Sequence, residues 1–197
     1  MALYVGGTAV TGTQTLDATT LSGNLPAISG ASLTGVSSTT PAFSAFNTDG
    51  DYTFSDNSWH LAQVNSEIYD SGGCYNNTGS STTLNGLTAP EYSFVPNSSG
   101  YYFCSWWCVG DAQSNNQLEE FWVSIYLNGN AYMEMAINHG GASDMMAGAS
   151  IGGLISLNGT GDYIQPYVKV DDTSAHGVSI GYNASRPKNQ FTAFKVA

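Results

Sequence analysis

Residues 101–109 form an apolar stretch bounded by glycines, and this stretch most constrains the fold. It reads YYFCSWWCV between Gly100 and Gly110; five of its nine residues are aromatic and none is charged. Nine residues suit a β-strand and are short for a helix, and the aromatic enrichment also favours a strand. Side chains along a strand alternate between two faces, and here both faces are largely apolar. One face therefore fills a core, while the other needs a second cover, from this chain or from another subunit.

The composition limits the classes of partner. Of the 197 residues, 42% are hydrophobic, which is enough for a core, whereas only 10% are charged and the net charge is −11. This charge opposes binding to nucleic acid or to an anionic membrane surface. No run of about eighteen apolar residues is present, so we expect no membrane insertion. The three cysteines, Cys74, Cys104 and Cys108, are an odd number without metal-type spacing, and we interpret them as reduced, small apolar residues.

From residue 41 onward the pattern is that of an all-β domain. Short runs rich in β-branched and aromatic residues alternate with turn signals, of which Asn128-Gly129 is a strong hairpin signal. Residues 70–89 are rich in Gly, Asn, Ser and Thr and predict a long loop or weak strand. Eight to ten strands without a convincing helix predict an antiparallel jelly-roll sandwich over residues 41–197.

Residues 1–40 differ from the rest of the chain. They contain a single charge, Asp17, and neither Trp nor Phe, and they repeat a triplet of one apolar, one hydroxyl and one Gly residue. One copy holds too few apolar groups for a core. Two interpretations remain open: a disordered linker, or an extended shaft in which three copies pack apolar side chains along an axis. The shaft-packing candidates are Leu21, Leu25, Ile28 and Leu33.

Residues 21–35, LSGNLPAISGASLTG, resemble a connecting segment found in structural and fibre proteins of tailed bacteriophages, particularly marine and cyanobacterial ones. In those proteins the segment joins a virion-attachment end to a distal head. The resemblance implies that residues 1–40 are an attachment and shaft segment that contacts other virion proteins. It also implies a location on the virion, at the tail or the capsid surface, after assembly in the cytoplasm of a bacterial host.

Residues 41–197 resemble the trimeric jelly roll of the complement C1q globular head and the tumour necrosis factor proteins. The resemblance rests on Phe43-Ser44-Ala45-Phe46, on an F-x-x-P-x-x-G-x-Y-x-F theme with shifted spacing in residues 94–103, and on Phe191-Thr192-Ala193-Phe194, where Ala193 replaces the family's Gly. It implies a homotrimer around an axis lined with aromatic residues. The trimer-interface candidates are Tyr102, Trp106, Trp107 and the loop methionines Met145 and Met146.

No constellation of residues predicts catalysis, so we expect a protein that is not an enzyme. His60, His139 and His176 show no ligand spacing, and neither a nucleophile elbow nor a phosphate-binding loop is present. A glycan hydrolase using carboxylates such as Glu119 is a third class of function, although such enzymes usually need a long groove in a larger domain. No cofactor is expected, apart from Ca²⁺ as a candidate through carboxylates near a turn; a solvated turn is the simpler interpretation. The calcium candidates are Asp171 and Asp172, with Asp162 or Asp144.

The receptor-contact candidates are residues expected outside the strands. Aromatic rings there can stack on sugars, which singles out Tyr75, Trp59 and Tyr182, and His139 lies in a glycine-rich loop. The sequence therefore predicts a trimeric tail fibre or spike whose head binds host cell-surface polysaccharide or protein. The alternative is a capsid decoration protein or head fibre with a structural role.

Overall fold

The computed structural model describes residues 4–5, 8–9, 40–48, 52–54, 57–111, 118–139, 146–172, 178–180 and 188–196. The chain divides into two units, Met1–Ser38 and Thr39–Ala197. The described residues form β-strands and turns. None of them belongs to a helix with the length and apolarity needed to span a bilayer.

Fifteen strands follow one another along the described residues. They are β1 Tyr4–Val5, β2 Thr8–Ala9, β3 Ala42–Phe46, β4 Tyr52–Phe54, β5 Trp59–Leu61, β6 Ser66–Ser71, β7 Thr82–Leu84, β8 Leu87–Ala89, β9 Gly100–Asp111, β10 Leu118–Leu127, β11 Asn130–Asn138, β12 Met146–Leu157, β13 Ile164–Asp172, β14 Val178–Ile180 and β15 Asn189–Lys195.

Two antiparallel sheets make the head. In the larger sheet β9 lies between β12 on one side and β15 on the other, and β15 continues into β3 and β6. The short strand β14 also pairs with the end of β9, and β4 pairs with β14. The smaller sheet has the order β11, β10, β13, β5. The stretch around residues 101–109 is thus the central strand of the larger sheet, as its aromatic content predicts, and the predicted all-β antiparallel sandwich is confirmed.

Asn-Gly pairs form the tight turns. Asn128 and Gly129, between β10 and β11, have φ values of 52° and 78°, which a two-residue hairpin of type I′ requires. This turn was predicted. Asn85 and Gly86 have φ values of 51° and 80° and close a second hairpin, between β7 and β8. Residues 70–89 therefore contain a short hairpin within the stretch predicted as a long loop or weak strand.

Side-chain amides order the stretch around that hairpin. The buried Asn76 donates from Nδ2 to the carbonyl oxygens of Ser80, Ala89 and Pro90, at 2.9, 3.0 and 2.7 Å. The Asn76 amide thus ties three carbonyl groups of this stretch together, which holds the polar segment in one conformation.

Aromatic rings dominate the core between the two sheets. Phe43 of β3 stacks on Tyr75 and on Phe94, with ring centroids 4.3 and 4.8 Å apart. Phe191 of β15 meets Phe43 edge-on at 5.0 Å. Offset and edge-to-face pairs of this kind add to the free energy gained from burial of the rings. The first and last strands of the head thus close its core side by side.

Candidate functional site

Strand β9 has one face inside the sandwich and one outside. Tyr102, Cys104, Trp106 and Cys108 have no exposed surface and point into the core. Burial raises the pKa of the Cys104 thiol to about 12 and also raises the pKa of the Cys108 thiol. Because the thiolate is the reactive form, these cysteines are inert at neutral pH and act as small apolar side chains.

This placement corrects part of the predicted trimer interface. Tyr102 donates its hydroxyl to the carbonyl oxygen of Ser98 at 2.6 Å. Trp106 donates its Nε1 proton across the sandwich to the carbonyl oxygen of Tyr167 at 3.1 Å. A side chain that is fully covered within one chain cannot contact another chain. The prediction that Tyr102 and Trp106 line an interface is therefore wrong.

The opposite face of β9 is apolar and uncovered at one end. In register across three strands, Leu154 of β12, Phe103 of β9 and Phe194 of β15 lie side by side. The rings of Phe103 and Phe194 are 5.6 Å apart, and 56% of the Leu154 side chain is exposed. Tyr101 and Val196 extend the same surface and are also exposed. We call these five residues the outer apolar patch.

The middle of the same face is uncharged and internally hydrogen-bonded. Trp107, which is partly exposed, donates from Nε1 to Oε1 of Gln190 at 3.4 Å, and Gln190 donates from Nε2 to Oγ of Ser44 at 2.8 Å. Among the described residues of β3, β9, β12 and β15, no position on this face at the level of residues 101–107 is charged. Small side chains on β12 leave room for the rings of β9: a Cβ at Gly152 would lie 3.3 Å from the Phe103 ring.

Of the predicted interface residues, Trp107 and Met146 do lie on this outer face. Met146 is exposed at the far end of β12, opposite Asp111 of β9. Met145 lies outside the described residues. Whether any of the three contacts a second subunit remains a prediction.

The outer face of the smaller sheet carries an aromatic cluster of a different kind. It consists of Trp59 of β5, Trp122 and Tyr126 of β10, and Tyr167 of β13. Tyr126 and Tyr167 stack at 3.8 Å with an interplanar angle of 17°. Trp59 meets Trp122 edge-on at 6.4 Å and Tyr126 at 6.0 Å. The four rings are in contact with one another although they come from three strands.

Charged groups surround this aromatic cluster. The ammonium of Lys169 lies 5.5 Å from the centroid of the Trp122 ring, within the range of a cation–π interaction. Trp122 donates from Nε1 to Oε2 of Glu120 at 3.0 Å. The pKa of Tyr126 is raised, first by burial and then by the charge of Glu134. The cluster thus combines flat apolar rings with a donor and several acceptors, which is the composition of many ligand sites.

The predicted receptor-contact residues lie in different parts of the structure. The prediction for Tyr75 is wrong, because its ring is buried against Phe43 and its hydroxyl donates to the carbonyl oxygen of Val64 at 2.7 Å. His139 is partly buried at the end of β11, where its backbone N–H donates to the carbonyl oxygen of Glu119. Tyr182 lies outside the described residues, as do the shaft candidates Leu21, Leu25, Ile28 and Leu33.

The calcium candidates do not converge. Asp172 is buried and pairs in register with Leu118, while Asp171 pairs with Glu120, so the two aspartates lie on opposite faces of β13. Asp162 accepts from the backbone N–H of Asn158 at 2.8 Å and from Nδ2 of Asn128 at 2.9 Å, which assigns its carboxylate to a turn. Within the part of the chain that the structure describes, no group of three or more His, Cys, Asp or Glu residues could hold a metal ion.

Comparison with known proteins supports the fold. No protein-family model matches the chain, and no curated protein matches it. Among solved structures the chain is similar to the globular domain of zebrafish complement 1qA protein, with 12% identity and a TM-score of 0.50 over 80% of this chain and 98% of that chain. At this identity the likeness shows the fold alone, and the predicted C1q-like jelly roll is confirmed. The phage origin is a separate prediction that rests on residues 21–35.

Proposed function

We propose that this chain forms a homotrimeric binding head, and that three copies meet through the outer apolar patch. The supporting observation is the row of Leu154, Phe103 and Phe194, which is apolar, uncharged and exposed in the single chain. Contiguous apolar surface of this kind marks an interaction site. The number of subunits, three, is inferred from the resemblance of residues 41–197 to trimeric jelly rolls.

The proposed interface differs from the predicted one by the face of β9 that it uses. Tyr101 and Phe103 replace Tyr102 and Trp106, because only the odd-numbered side chains point away from the core. Trp107 and Met146 stay in the proposed interface. A closed homo-oligomer repeats the same contact in every subunit, so each substitution in the patch acts three times in one assembly.

The head acts, in this proposal, as a virion appendage of a tailed phage that binds cell-surface glycan of a bacterial host. The phage-like wording of residues 21–35 supports the location, with residues 1–40 as the attachment and shaft segment. The low charged fraction, 10%, supports a surface that works by hydrogen bonding and ring stacking. Three identical heads would raise the avidity of individually weak contacts. The proposed mechanism is binding without catalysis.

Replacement of Phe103 by Asp tests the trimer. Each subunit would bring one carboxylate into the centre of the outer apolar patch, and an unpaired buried charge costs about 3–5 kcal/mol. We expect the wild-type chain to have the mass of a trimer in multi-angle light scattering at micromolar concentration, and the Phe103→Asp variant to have the mass of a monomer with an unchanged circular dichroism spectrum.

The matched control is Tyr132→Asp, which places the same charge at an aromatic position, half-exposed on edge strand β11 of the other sheet. This variant should remain trimeric. A wild-type chain that is monomeric, or a Phe103→Asp variant that stays trimeric while folded, contradicts the proposed assembly.

The virion location has its own experiment. Gold-labelled antibody against residues 41–197 should decorate the tail tip of purified phage particles in electron micrographs, and the purified chain should bind cells of the host. Labelling of the capsid without binding to cells would assign the chain to capsid decoration instead. Absence of label from the particles would overturn the virion assignment altogether.

A further inference from the structure

The outer face of the smaller sheet carries four aromatic rings that lie outside the buried core. We propose that this aromatic cluster is a binding platform for a neutral oligosaccharide, whose pyranose rings stack on Trp59, Tyr126 and Tyr167. The inference rests on the proposed function in one respect, because it names the place where a glycan-binding head would hold its ligand.

The side chains of the cluster pack over the outer face of the smaller sheet. Ser124 of β10 is on the outer face, between Trp122 and Tyr126 along the strand and opposite Tyr167 on β13. Its side chain nevertheless has no exposed surface, and its Oγ donates to the carbonyl oxygen of Met133 at 2.9 Å. Ser124 is therefore covered by its neighbours on this face, which include Trp122, Tyr126 and Tyr167.

These rings keep part of their surface open. Trp59, Trp122, Tyr126 and Tyr167 are all partly exposed, although each contacts at least one of the others. Aromatic surfaces that remain open on one side suit the flat C–H face of a sugar ring, because that face is apolar while its rim carries hydroxyl groups. Tyr126 and Tyr167 cover one face of each other, so each offers a sugar its other face or its edge, and Trp59 offers its own exposed surface.

The charged side chains around the cluster favour a neutral ligand. Glu120, Glu134 and Asp171 lie on the same face of the sheet, and the chain carries a net charge of −11, so a polyanion is repelled. The three carboxylates attract a cation, but the ammonium of Lys169 already occupies the position over the Trp122 ring. A neutral sugar meets neither obstacle. Its hydroxyls can accept from Lys169 and donate to Glu120 or Glu134.

The aromatic cluster would stay accessible in the proposed trimer. The outer apolar patch and the aromatic cluster lie on the two opposite outer faces of one sandwich. A trimer that closes through the apolar patch leaves the aromatic cluster on its outside, where a polysaccharide can reach it. Three such clusters in one head would bind a repeating polymer with avidity.

Affinity electrophoresis of the full chain tests the proposal. Native gels would contain dextran, a mannan or a galactan as neutral polymers, or alginate as an acidic one. We expect retardation by at least one neutral polymer and none by alginate. Trp59→Ala and Tyr126→Ala should each weaken the apparent Kd about tenfold or more, which corresponds to loss of a hot-spot side chain.

The matched control is Tyr132→Ala, an exposed tyrosine of the same sheet outside the cluster, which should bind as the wild type does. Lys169→Met keeps all four rings and removes only the donor, so it tests the site if the alanine variants fail to fold; we expect binding about threefold to tenfold weaker. Full binding by this variant and by both alanine variants would overturn the proposal. Retardation by alginate alone, by no polymer, or reversal of retardation by choline would also overturn it.

Light scattering on the same samples separates this inference from the proposed assembly. A trimer that binds no neutral polymer refutes the platform and leaves the trimer standing. A monomeric wild-type chain that binds dextran through Trp59 refutes the trimer and leaves the platform standing.

Discussion

Strand β9 presents two apolar faces with different surroundings. On the inner face, Tyr102 and Trp106 have no exposed surface, and Trp106 donates to the carbonyl oxygen of Tyr167 in the smaller sheet. On the outer face, Tyr101 and Phe103 are exposed, and the Phe103 ring lies beside Phe194 of the same sheet. The two faces are nearly equal in apolar content. Hydrophobicity alone therefore does not separate a core from an interface, since that depends on which face the second sheet covers.

The largest difference in stability between the two faces is expected at the adjacent residues Trp106 and Trp107. Trp106→Ala should lower the free energy of unfolding by about 3–5 kcal/mol, because it opens a cavity and leaves the carbonyl of Tyr167 without its donor. Trp107→Ala should cost about 1 kcal/mol or less in the isolated subunit, because the ring is partly exposed and its hydrogen bond of 3.4 Å is long.

Urea unfolding in the Phe103→Asp background would measure both values without a contribution from assembly, since apparent stability otherwise depends on protein concentration. Equal losses of unfolding free energy in the two alanine variants would contradict the assignment of one face to the core and the other to the outside. In the wild-type background, Trp107→Ala should instead weaken the trimer, with a lower mass in light scattering on dilution.

Gly110 and Gly148 allow one methyl group to be added on each side of the larger sheet. A Cβ at Gly110, on the inner side, would lie 2.6 Å from Cε2 of Phe121, a ring with no exposed surface. Gly110→Ala should therefore destabilise the fold by about 1–3 kcal/mol through overpacking. A Cβ at Gly148, on the outer face, would meet nothing closer than Cγ2 of Val109 at 3.6 Å.

We expect Gly148→Ala to change the free energy of unfolding by no more than about 0.5 kcal/mol. Thermal denaturation of both variants by circular dichroism in the Phe103→Asp background is sufficient. A large loss at Gly148 together with tolerance at Gly110 would reverse the assignment of the two faces.

The smallest expected effect is a pH dependence at the inner face. Burial raises the pKa of Tyr102 from 10.0 to about 12. The neutral phenol is thus favoured by folding, so its contribution to stability is complete below pH 10 and is lost as the pH rises from 10 to 12. Tyr102→Phe should cost about 1 kcal/mol at pH 8 through the lost hydrogen bond to Ser98.

Between pH 10 and pH 12 the variant should lose less stability than the wild type, because it lacks the group that titrates. Urea unfolding at pH 8, 10 and 11.5 checks this difference. Parallel decline of the two proteins would mean that Tyr102 is solvated, which contradicts its place in the core. The Tyr101→Phe variant serves as the control, since it removes a tyrosine hydroxyl from an exposed position of the same strand.

Local signals predicted much of the head and missed what depends on distant pairing. The central strand and the hairpin at Asn128-Gly129 followed from residue type and turn chemistry. The hairpin at Asn85-Gly86 carried the same signal, but the polar strands around it bury little and resemble a loop in sequence. Trp59 was predicted as a sugar-stacking residue outside the strands, although it lies in β5. Its grouping with Trp122 and Tyr167 escaped prediction because the three residues belong to strands that are far apart in the chain.

The residue pattern alone predicted the all-β class and a central strand with two apolar faces, while the C1q-like jelly roll was implied by the resemblance of residues 41–197 to that family. The first two properties are local, since they depend on side-chain period, aromatic content and turn residues. Only the tertiary structure decided that the even-numbered side chains of β9 face the core and that Tyr101 and Phe103 face outward. Strand period fixes which residues share a face, but the direction of that face depends on where the second sheet packs, and that is set by pairings across the whole chain.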